Sequence, residues 1–304
     1  MAGSKSGIDG KLSSVVRHLF RLLSRSKVEW VVVENVYFML QLDHGRAIRV
    51  LAESLEDLGY RWVYRVIDSI SFLPQRRRRV FMVASLSHDP RPVLFADGEL
   101  AQKTNGPHEF PLNFPLGFYW TEGRSGVGLT LNAIPPLKAG SGIGIPSPPA
   151  ILRPDGVLGT PSLADCERLQ GFPAGWTLPA YPEGKRHDRR WRLVGNAVSV
   201  PVASWLARRL AQQKERGEID VALAPIKRGK AWPAAAFNVD GVRYGCNLNS
   251  RVTNRKTRGL SEILKDDLRP LSSRAIKGFL SRAREGGLKF PRGFLDRLEA
   301  CASE

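Results

Sequence analysis

Apolar residues recur at two different spacings at the start of the chain. Over residues 11–26 (KLSSVVRHLFRLLSRS) they fall three and four positions apart with arginines between them, which predicts an amphipathic helix. From Val28 the chain continues as VEWVVVENV, and its unbroken valines predict a strand over 28–34 that is buried on both faces. That strand ends on a charge and an amide, Glu34-Asn35.

The following segments keep alternating between helix and strand. DHGRAIRVLAESLEDLGY predicts a helix that Asp43 caps and that ends near Gly59. RWVYRVIDS then predicts a strand, and VFMVASL predicts another over 80–86. Helix, strand, helix, strand, strand is the order of an open α/β sheet, so we expect the α/β fold class.

Regular patterning weakens after residue 86. Proline and glycine crowd residues 87–160, which favours short strands joined by loops. Four helices are predicted in the rest of the chain: 162–172, 196–213, 272–284 and 292–301. Ser162 is the expected N-cap of the first, and Pro201 lies near the start of the second, where its missing N–H costs least.

Composition excludes several classes of protein. The hydrophobic fraction is 42% and no apolar run approaches the roughly 18 residues of a membrane span, so we expect a cytoplasmic protein without membrane contact. The three cysteines, Cys166, Cys246 and Cys301, lack CxxC spacing and histidine partners, which argues against a metal site or a disulfide framework. They are expected to be buried thiols.

Charge indicates the partner. Lys+Arg 46 against Asp+Glu 29 gives a formal net charge of +17, and a surface this basic attracts a polyanion, with nucleic acid the first candidate. In PQRRRRV an extended backbone would turn Arg77 and Arg79 to one face and Arg76 and Arg78 to the other. One pair could then reach a site while the other reaches solvent or phosphate.

Glu34 is a candidate site residue because ligands of open α/β sheets bind beyond the carboxyl ends of the strands. A helix cap or an arginine pair would explain the same carboxylate. Four ordered segments resemble the cytosine-5 DNA methyltransferases: ENV after an apolar strand, PQRRRRVF, RLQGFP and GNAVSVPV. The resemblance covers roughly residues 1–212, and the initial AGSKSGIDG is similar to the mobile loop that follows the Pro-Cys-Gln motif of this family.

The resemblance implies an incomplete Rossmann-like methyltransferase domain that uses S-adenosyl-L-methionine, together with a small loop- and β-rich target-recognition region. Double-stranded DNA is the implied substrate. We expect the C-terminal part of the catalytic domain over 1–86 and the recognition region over 87–160. The returning family motifs follow over 161–213, and a basic C-terminal extension over 214–304.

Family chemistry then implies roles for single residues. A cysteine thiolate adds to C6 of a cytosine flipped out of the duplex, and C5 takes the methyl group. The resemblance assigns the acid at N3 and the exocyclic amine to Glu34, and contact with the flipped base to Arg77 and, with it, Arg79. Arg168 and Gln170 resemble residues that organise the recognition region. Three positions are expected near the cofactor: Asn196, Ala197 and Val15.

Two departures from the family pattern matter. The glycine-rich cofactor loop and Pro-Cys-Gln do not occur in these 304 residues. SISFLPQ also has one residue fewer than usual, which either rotates the arginines away from the site or is absorbed in the loop.

Three interpretations stay open: a truncated or degraded methyltransferase, one part of a split enzyme with an N-terminal partner chain that carries the missing motifs, and a non-enzymatic basic DNA-binding protein. In each we expect no methylation by the chain alone. The recognition sequence, and any associated restriction endonuclease, stay open as well.

Overall fold

The computed structural model describes residues 13–95, 113–124, 126–139, 148–180, 188–212, 224–226, 231–239, 241–246, 248–253 and 257–303. The AGSKSGIDG segment lies outside the described residues. The first half contains α1 Ser13–Ser26, β1 Trp30–Val36, α2 Arg46–Asp57, β2 Arg61–Asp68, β3 Arg78–Ser85, α3 Arg91–Phe95, β4 Leu116–Phe118, β5 Thr130–Leu131 and β6 Ala150–Leu152. The second half contains β7 Leu158–Thr160, α4 Leu163–Gln170, α5 Asp188–Asn196, α6 Val200–Ala211, β8 Ala224–Pro225, β9 Ala235–Asn238, β10 Arg243–Cys246, α7 Leu260–Ile263, β11 Arg269–Pro270, α8 Ser273–Glu285 and α9 Phe294–Ser303.

The larger sheet has the strand order β1-β3-β2-β9-β10-β8, and its neighbouring strands are antiparallel. Alternate residues of β2 face opposite layers, as a pleated strand requires. Trp62 and Tyr64 pack with α1 and α2 on one face, whereas Val63 and Ile67 pack with α3 and α6 on the other. The described chain is therefore a mixed α/β fold with helices on both faces of this sheet.

The smaller sheet has the order β11-β7-β6-β4-β5 and is also antiparallel. Helices α8 and α9 cover it through an aromatic cluster in which Phe118 lies 5.1 Å from Phe279 and 5.3 Å from Phe294, measured between ring centroids. The sequence prediction of short strands joined by loops in 87–160 is confirmed for the described residues, apart from the short helix α3.

The C-terminal region contributes to both sheets. Strand β9 pairs with β2, and β11 pairs with β7. The predicted helices at 272–284 and 292–301 correspond to α8 and α9. Within the described residues, none of the helices combines the length and the apolar character that crossing a bilayer requires.

The prediction that the valine strand is buried on both faces was wrong. Val31 is 7% exposed, but Val32 is 45% and Val36 is 48% exposed. The reason is position: β1 is an edge strand of the described sheet, and on that face the cluster formed with α3 and α6 includes Trp30 of β1 but not Val32 or Val36.

Two helix starts were also predicted wrongly. Asp43 does not cap α2, because its backbone is left-handed (φ 48°) in a short 3-10 turn and the N-cap position falls to Gly45. The helix predicted over 196–213 begins only at Val200, and a separate helix, α5, ends at Asn196. The prediction for the helix at 162–172 is confirmed, since Ser162 Oγ accepts a hydrogen bond from the Asp165 N–H.

Candidate active site

Glu34 and Arg79 meet on the open face of β1 and β3. Strand pairing sets Glu34 opposite Phe81 and Val36 opposite Arg79, so the two charged residues are diagonal neighbours on one face. Arg79 Nε lies 3.1 Å from Glu34 Oε1, and the side chains are 17% and 27% exposed. Burial lowers the pKa of Arg79, and the Glu34 carboxylate opposes that shift. One guanidinium therefore holds the carboxylate while part of it stays open to a ligand.

The four consecutive arginines diverge as an extended backbone predicts. Arg76 is 59% exposed, with its Nε 4.0 Å from Asp68 Oδ2, and Arg78 lies over the Tyr37 ring at 4.2 Å. Arg77 and Arg79 take the other direction, toward Glu34. The shorter loop before the arginines is thus absorbed without moving Arg79 away from the carboxylate.

Arg77 is buried and bound to backbone carbonyls. Its Nη1 donates to Leu137 O at 3.0 Å, and its Nη2 donates to Gly195 O at 3.1 Å and to Ala197 O at 3.0 Å. Burial, with a further contribution from the nearby Arg79, lowers the pKa of Arg77 to about 10. Its Nε is buried without a hydrogen-bond partner among the described groups. Arg77 therefore joins Leu137 to the segment GNAVSVPV.

A buried hydrogen-bond network also connects the segment before the arginines to GNAVSVPV. Gln75 Nε2 donates to Leu169 O at 2.8 Å and to Gln170 Oε1 at 3.2 Å. Gln170 Nε2 donates in turn to Val194 O at 2.7 Å, and Ser199 Oγ donates to Gln170 Oε1 at 3.2 Å. Because buried polar groups are costly unless paired, this network fixes the relative positions of three sequence segments.

Sequence reasoning did not single out Gln75 or Ser199, although both lie inside the quoted segments PQRRRRV and GNAVSV. Their side chains are buried while neighbours such as Arg76 and Asn196 are exposed, and this difference cannot be read from a short motif. Gln170 is buried and hydrogen-bonded within this network, and its expected role in organising the recognition region stays a prediction.

Residues 136–139, from the part of the chain that the sequence predicts to be the recognition region, approach the site. Tyr119 Oη donates to Pro136 O at 2.6 Å, and Lys138 Nζ lies 3.6 Å from the centroid of the Tyr119 ring and pairs with Glu122. Burial raises the pKa of Tyr119. A Cβ on Gly195 would lie 2.4 Å from Ala139 N, so only glycine allows this close approach of two backbones.

The residues expected near the cofactor are only partly described. Asn196 ends α5 and is exposed, whereas the Ala197 N–H donates to Leu193 O and its carbonyl accepts from Arg77. Val15 lies in α1, but its side chain is outside the described residues. The structure thus brings Glu34 to Arg79 and Ala197 to Arg77.

Comparisons with known proteins agree with these motifs. The family model for C-5 cytosine-specific DNA methylases matches residues 1–111. The Type II methyltransferase M2.BsuMI of Bacillus subtilis (strain 168) is 42% identical over 310 residues, which cover 99% of this chain and 79% of the relative. The Type II methyltransferase M.MspI of Moraxella sp is 24% identical over 224 residues, covering 69% of this chain and 52% of that protein.

The chain belongs to the C-5 cytosine-specific DNA methylase family. Within it, the similarity to M2.BsuMI extends over nearly the whole chain, including the C-terminal region that lies beyond the recognised motifs. Among solved structures, the crystal structure of S. pombe Dnmt2 methyltransferase matches at 15% identity with a TM-score of 0.45, over 71% of this chain and 75% of that one.

Proposed function

We propose that Glu34 is the acid that activates cytosine in the methylation of DNA at C5. The observation that carries the proposal is the Glu34–Arg79 contact at the open end of β1, 3.1 Å between Nε and Oε1. When a thiolate adds to C6, negative charge develops on the ring, and a proton on the Glu34 carboxyl at N3 relieves it. The exocyclic amine donates to the same carboxyl group and helps to identify the base.

Arg79 and Arg77 have different roles in this proposal. Arg79 orients the Glu34 carboxylate and reaches the flipped base beside it. Arg77 acts as a positioning residue, since both of its terminal nitrogens bind backbone carbonyls. Arg77 links the base-binding side of the sheet to the recognition region and to Gly195–Ala197.

The nucleophile must come from outside these residues. Cys166 and Cys246 are buried, and burial raises the pKa of both thiols, that of Cys246 to about 12, which disfavours the thiolate. Cys301 is only half-buried, contrary to the prediction of a buried thiol, but its Sγ donates to Gly156 O in the smaller sheet region. None of the three follows a proline.

We place the thiol on a polypeptide that carries the Pro-Cys-Gln motif and packs on β1. Three valines next to Glu34 are 44–48% exposed: Val28, Val32 and Val36. Within the described residues β1 pairs on one side only, with β3. An apolar outer strand with an open edge is a surface that another strand and its core residues can cover.

S-adenosyl-L-methionine supplies the methyl group as an electrophilic sulfonium when it is bound. The exposed amide of Asn196 is suited to a polar contact with it, whereas both backbone groups of Ala197 are already engaged. We therefore propose a hydrogen-bonding role for Asn196 and a packing role for Ala197. Val15 and the cytoplasmic location stay predictions.

Complementation tests this function. The 304-residue chain is mixed or co-expressed with a polypeptide that carries the glycine-rich loop and Pro-Cys-Gln of a related methyltransferase, and transfer of tritium from labelled S-adenosylmethionine to cytosine in DNA is measured. We expect transfer only when both parts are present, and none when the Pro-Cys-Gln cysteine is replaced by serine. Transfer by the chain alone would contradict the assignment of the thiol to another polypeptide.

A further inference from the structure

An exposed aromatic pair lies on the loop after α4. Trp176 is 60% exposed and stacks on Phe172, with ring centroids 5.6 Å apart and an interplanar angle of 18°. Leu178, two residues further, is 56% exposed. Large apolar side chains that are grouped on a surface in this way mark a contact site more often than scattered single ones.

Buried polar contacts hold this loop rigid. Glu167 is fully buried, and its carboxylate accepts hydrogen bonds from Gly175 N, Thr177 N and Thr177 Oγ1. Arg190 of α5 completes the cluster, with Nη2 3.2 Å from Glu167 Oε1 and Nε 2.9 Å from Thr177 Oγ1. Burial by itself would raise the pKa of Glu167, but these hydrogen bonds lower it overall. Because these hydrogen bonds to Glu167 fix the loop backbone, Trp176 is held in a fixed, outward orientation.

The charge around the loop selects an anionic partner. Residues 168–180 contain no Asp or Glu, and the carboxylate beneath them, Glu167, is paired with Arg190. Arg189 and Arg192 of α5 are exposed, and Arg190 between them contacts the loop. Aromatic rings and arginines exposed in the same part of a surface are a combination that binds nucleic acid.

The loop lies within reach of DNA bound at Glu34. Helix α5 contains Arg190, which contacts the loop, and ends one residue before Ala197, whose carbonyl accepts from Arg77. Seven residues of helix span about 10 Å, which is roughly three base steps of a duplex. We infer that Trp176, together with Arg189 and Arg192, forms a second DNA contact that grips the duplex a few base pairs from the flipped cytosine. This inference rests on the DNA methyltransferase function proposed above.

Fluorescence anisotropy with the full chain and a labelled DNA duplex tests the contact. We expect Trp176→Ala to weaken duplex binding about tenfold, because the contact of the ring with the DNA is lost, and Trp176→Phe to stay within about twofold, because an aromatic ring is kept. Val157→Ala, which removes a 44% exposed side chain from the smaller sheet region, is the matched control and should bind as the wild type does.

Salt dependence separates the ring from the arginines. Arg192→Ala should reduce the slope of log Kd against log salt by about 1, since it removes one phosphate contact, whereas Trp176→Ala should leave the slope unchanged. Wild-type affinity in both Trp176→Ala and Arg192→Ala would overturn the second contact alone. A loss of self-association without a loss of DNA affinity in Trp176→Ala would overturn it in favour of a second protein copy. If the wild-type chain bound no duplex at all, the DNA-binding function itself would fail.

Discussion

The arginines from Arg76 to Arg79 show how strongly four identical neighbours can differ. Arg76 faces solvent, Arg78 lies on Tyr37, Arg79 holds Glu34, and Arg77 is 3% exposed and bound to three carbonyls. Their alternation could be predicted from the extended backbone. The different contacts of Arg77 and Arg79 could not be predicted, because those of Arg77 depend on Leu137, Gly195 and Ala197 lying close to it in the folded chain.

Replacing Arg77 should destabilise the protein. In Arg77→Met three carbonyls lose the Arg77 donor, and among the described residues only that of Ala197 keeps a second one, from Gln170, so we expect the free energy of unfolding to fall by about 2–4 kcal/mol. Urea denaturation followed by circular dichroism measures the loss. The neighbouring substitution Arg76→Met is the control, and it should change stability by less than about 0.5 kcal/mol because Arg76 is exposed. Equal effects of the two substitutions would contradict the positioning role.

At the level of elements, the helices and strands with strong periodicity were predictable and their partners were not. The strands β2 and β3 and the helices α4, α8 and α9 follow from apolar spacing and caps. Pairing of β2 with β9, about 170 residues away, has no local signal, because a strand pattern specifies which faces are buried and not which strand lies beside it. Helix α5 was missed because four of the nine residues of DRRWRLVGN are charged and only three are apolar.

The close contact between Gly195 of α5 and residues 138–139 predicts that a larger side chain at position 195 destabilises the protein. A Cβ in Gly195→Ala would lie 2.4 Å from both Ala139 N and Lys138 C, so the two backbones must separate. We expect a loss of about 1–3 kcal/mol of stability, measured by thermal unfolding, as for other overpacked sites.

Gly278→Ala is the control for that experiment. Gly278 lies inside α8, and its Cβ would meet only the flexible end of Arg282 at 3.3 Å. Alanine favours the helix there by up to about 1 kcal/mol, so the melting temperature should stay the same or rise. A Gly195→Ala protein that melts at or above the wild-type temperature would contradict the close approach.

At the scale of the whole molecule, one carboxylate of α2 connects to the C-terminal region in addition to the pairing of β2 with β9. Glu56 of α2 accepts hydrogen bonds from Trp62 Nε1 at 2.8 Å, from Asn238 Nδ2 at 2.7 Å and from Arg243 Nη2 at 2.5 Å. Burial alone would raise its pKa, but the three donors lower it below the usual 4.5. The sequence shows that Glu56 and Arg243 carry opposite charges, but it does not indicate that the two side chains meet.

This arrangement predicts acid lability. A carboxylate whose pKa is lower in the folded protein stabilises the fold above its unfolded pKa of about 4.5, and that contribution is lost as the pH falls through the folded value. The hydrogen-exchange protection factors of the β9–β10 amides, which correct for the pH dependence of intrinsic exchange, should therefore fall below pH 4.5 in the wild type. In Glu56→Gln the protection factors should be lower already at pH 7 and should change less with pH. Glu53→Gln is the control. It changes the other carboxylate of α2 near Arg243, at 3.6 Å, and leaves the hydrogen bonds of Glu56 in place, so this variant should behave as the wild type does.

The most direct test of the central claim is the turnover of the complemented enzyme with Glu34→Gln. A glutamine keeps the shape of the side chain and cannot deliver the proton to N3, so methyl transfer should fall by at least about 100-fold while duplex affinity changes less than about twofold. Glu285→Gln removes a surface carboxylate that also pairs with an arginine, Arg124 at 2.9 Å, and should keep wild-type turnover. Unchanged turnover in Glu34→Gln, or an equal loss in both variants, would contradict the role of Glu34 as the acid that activates cytosine.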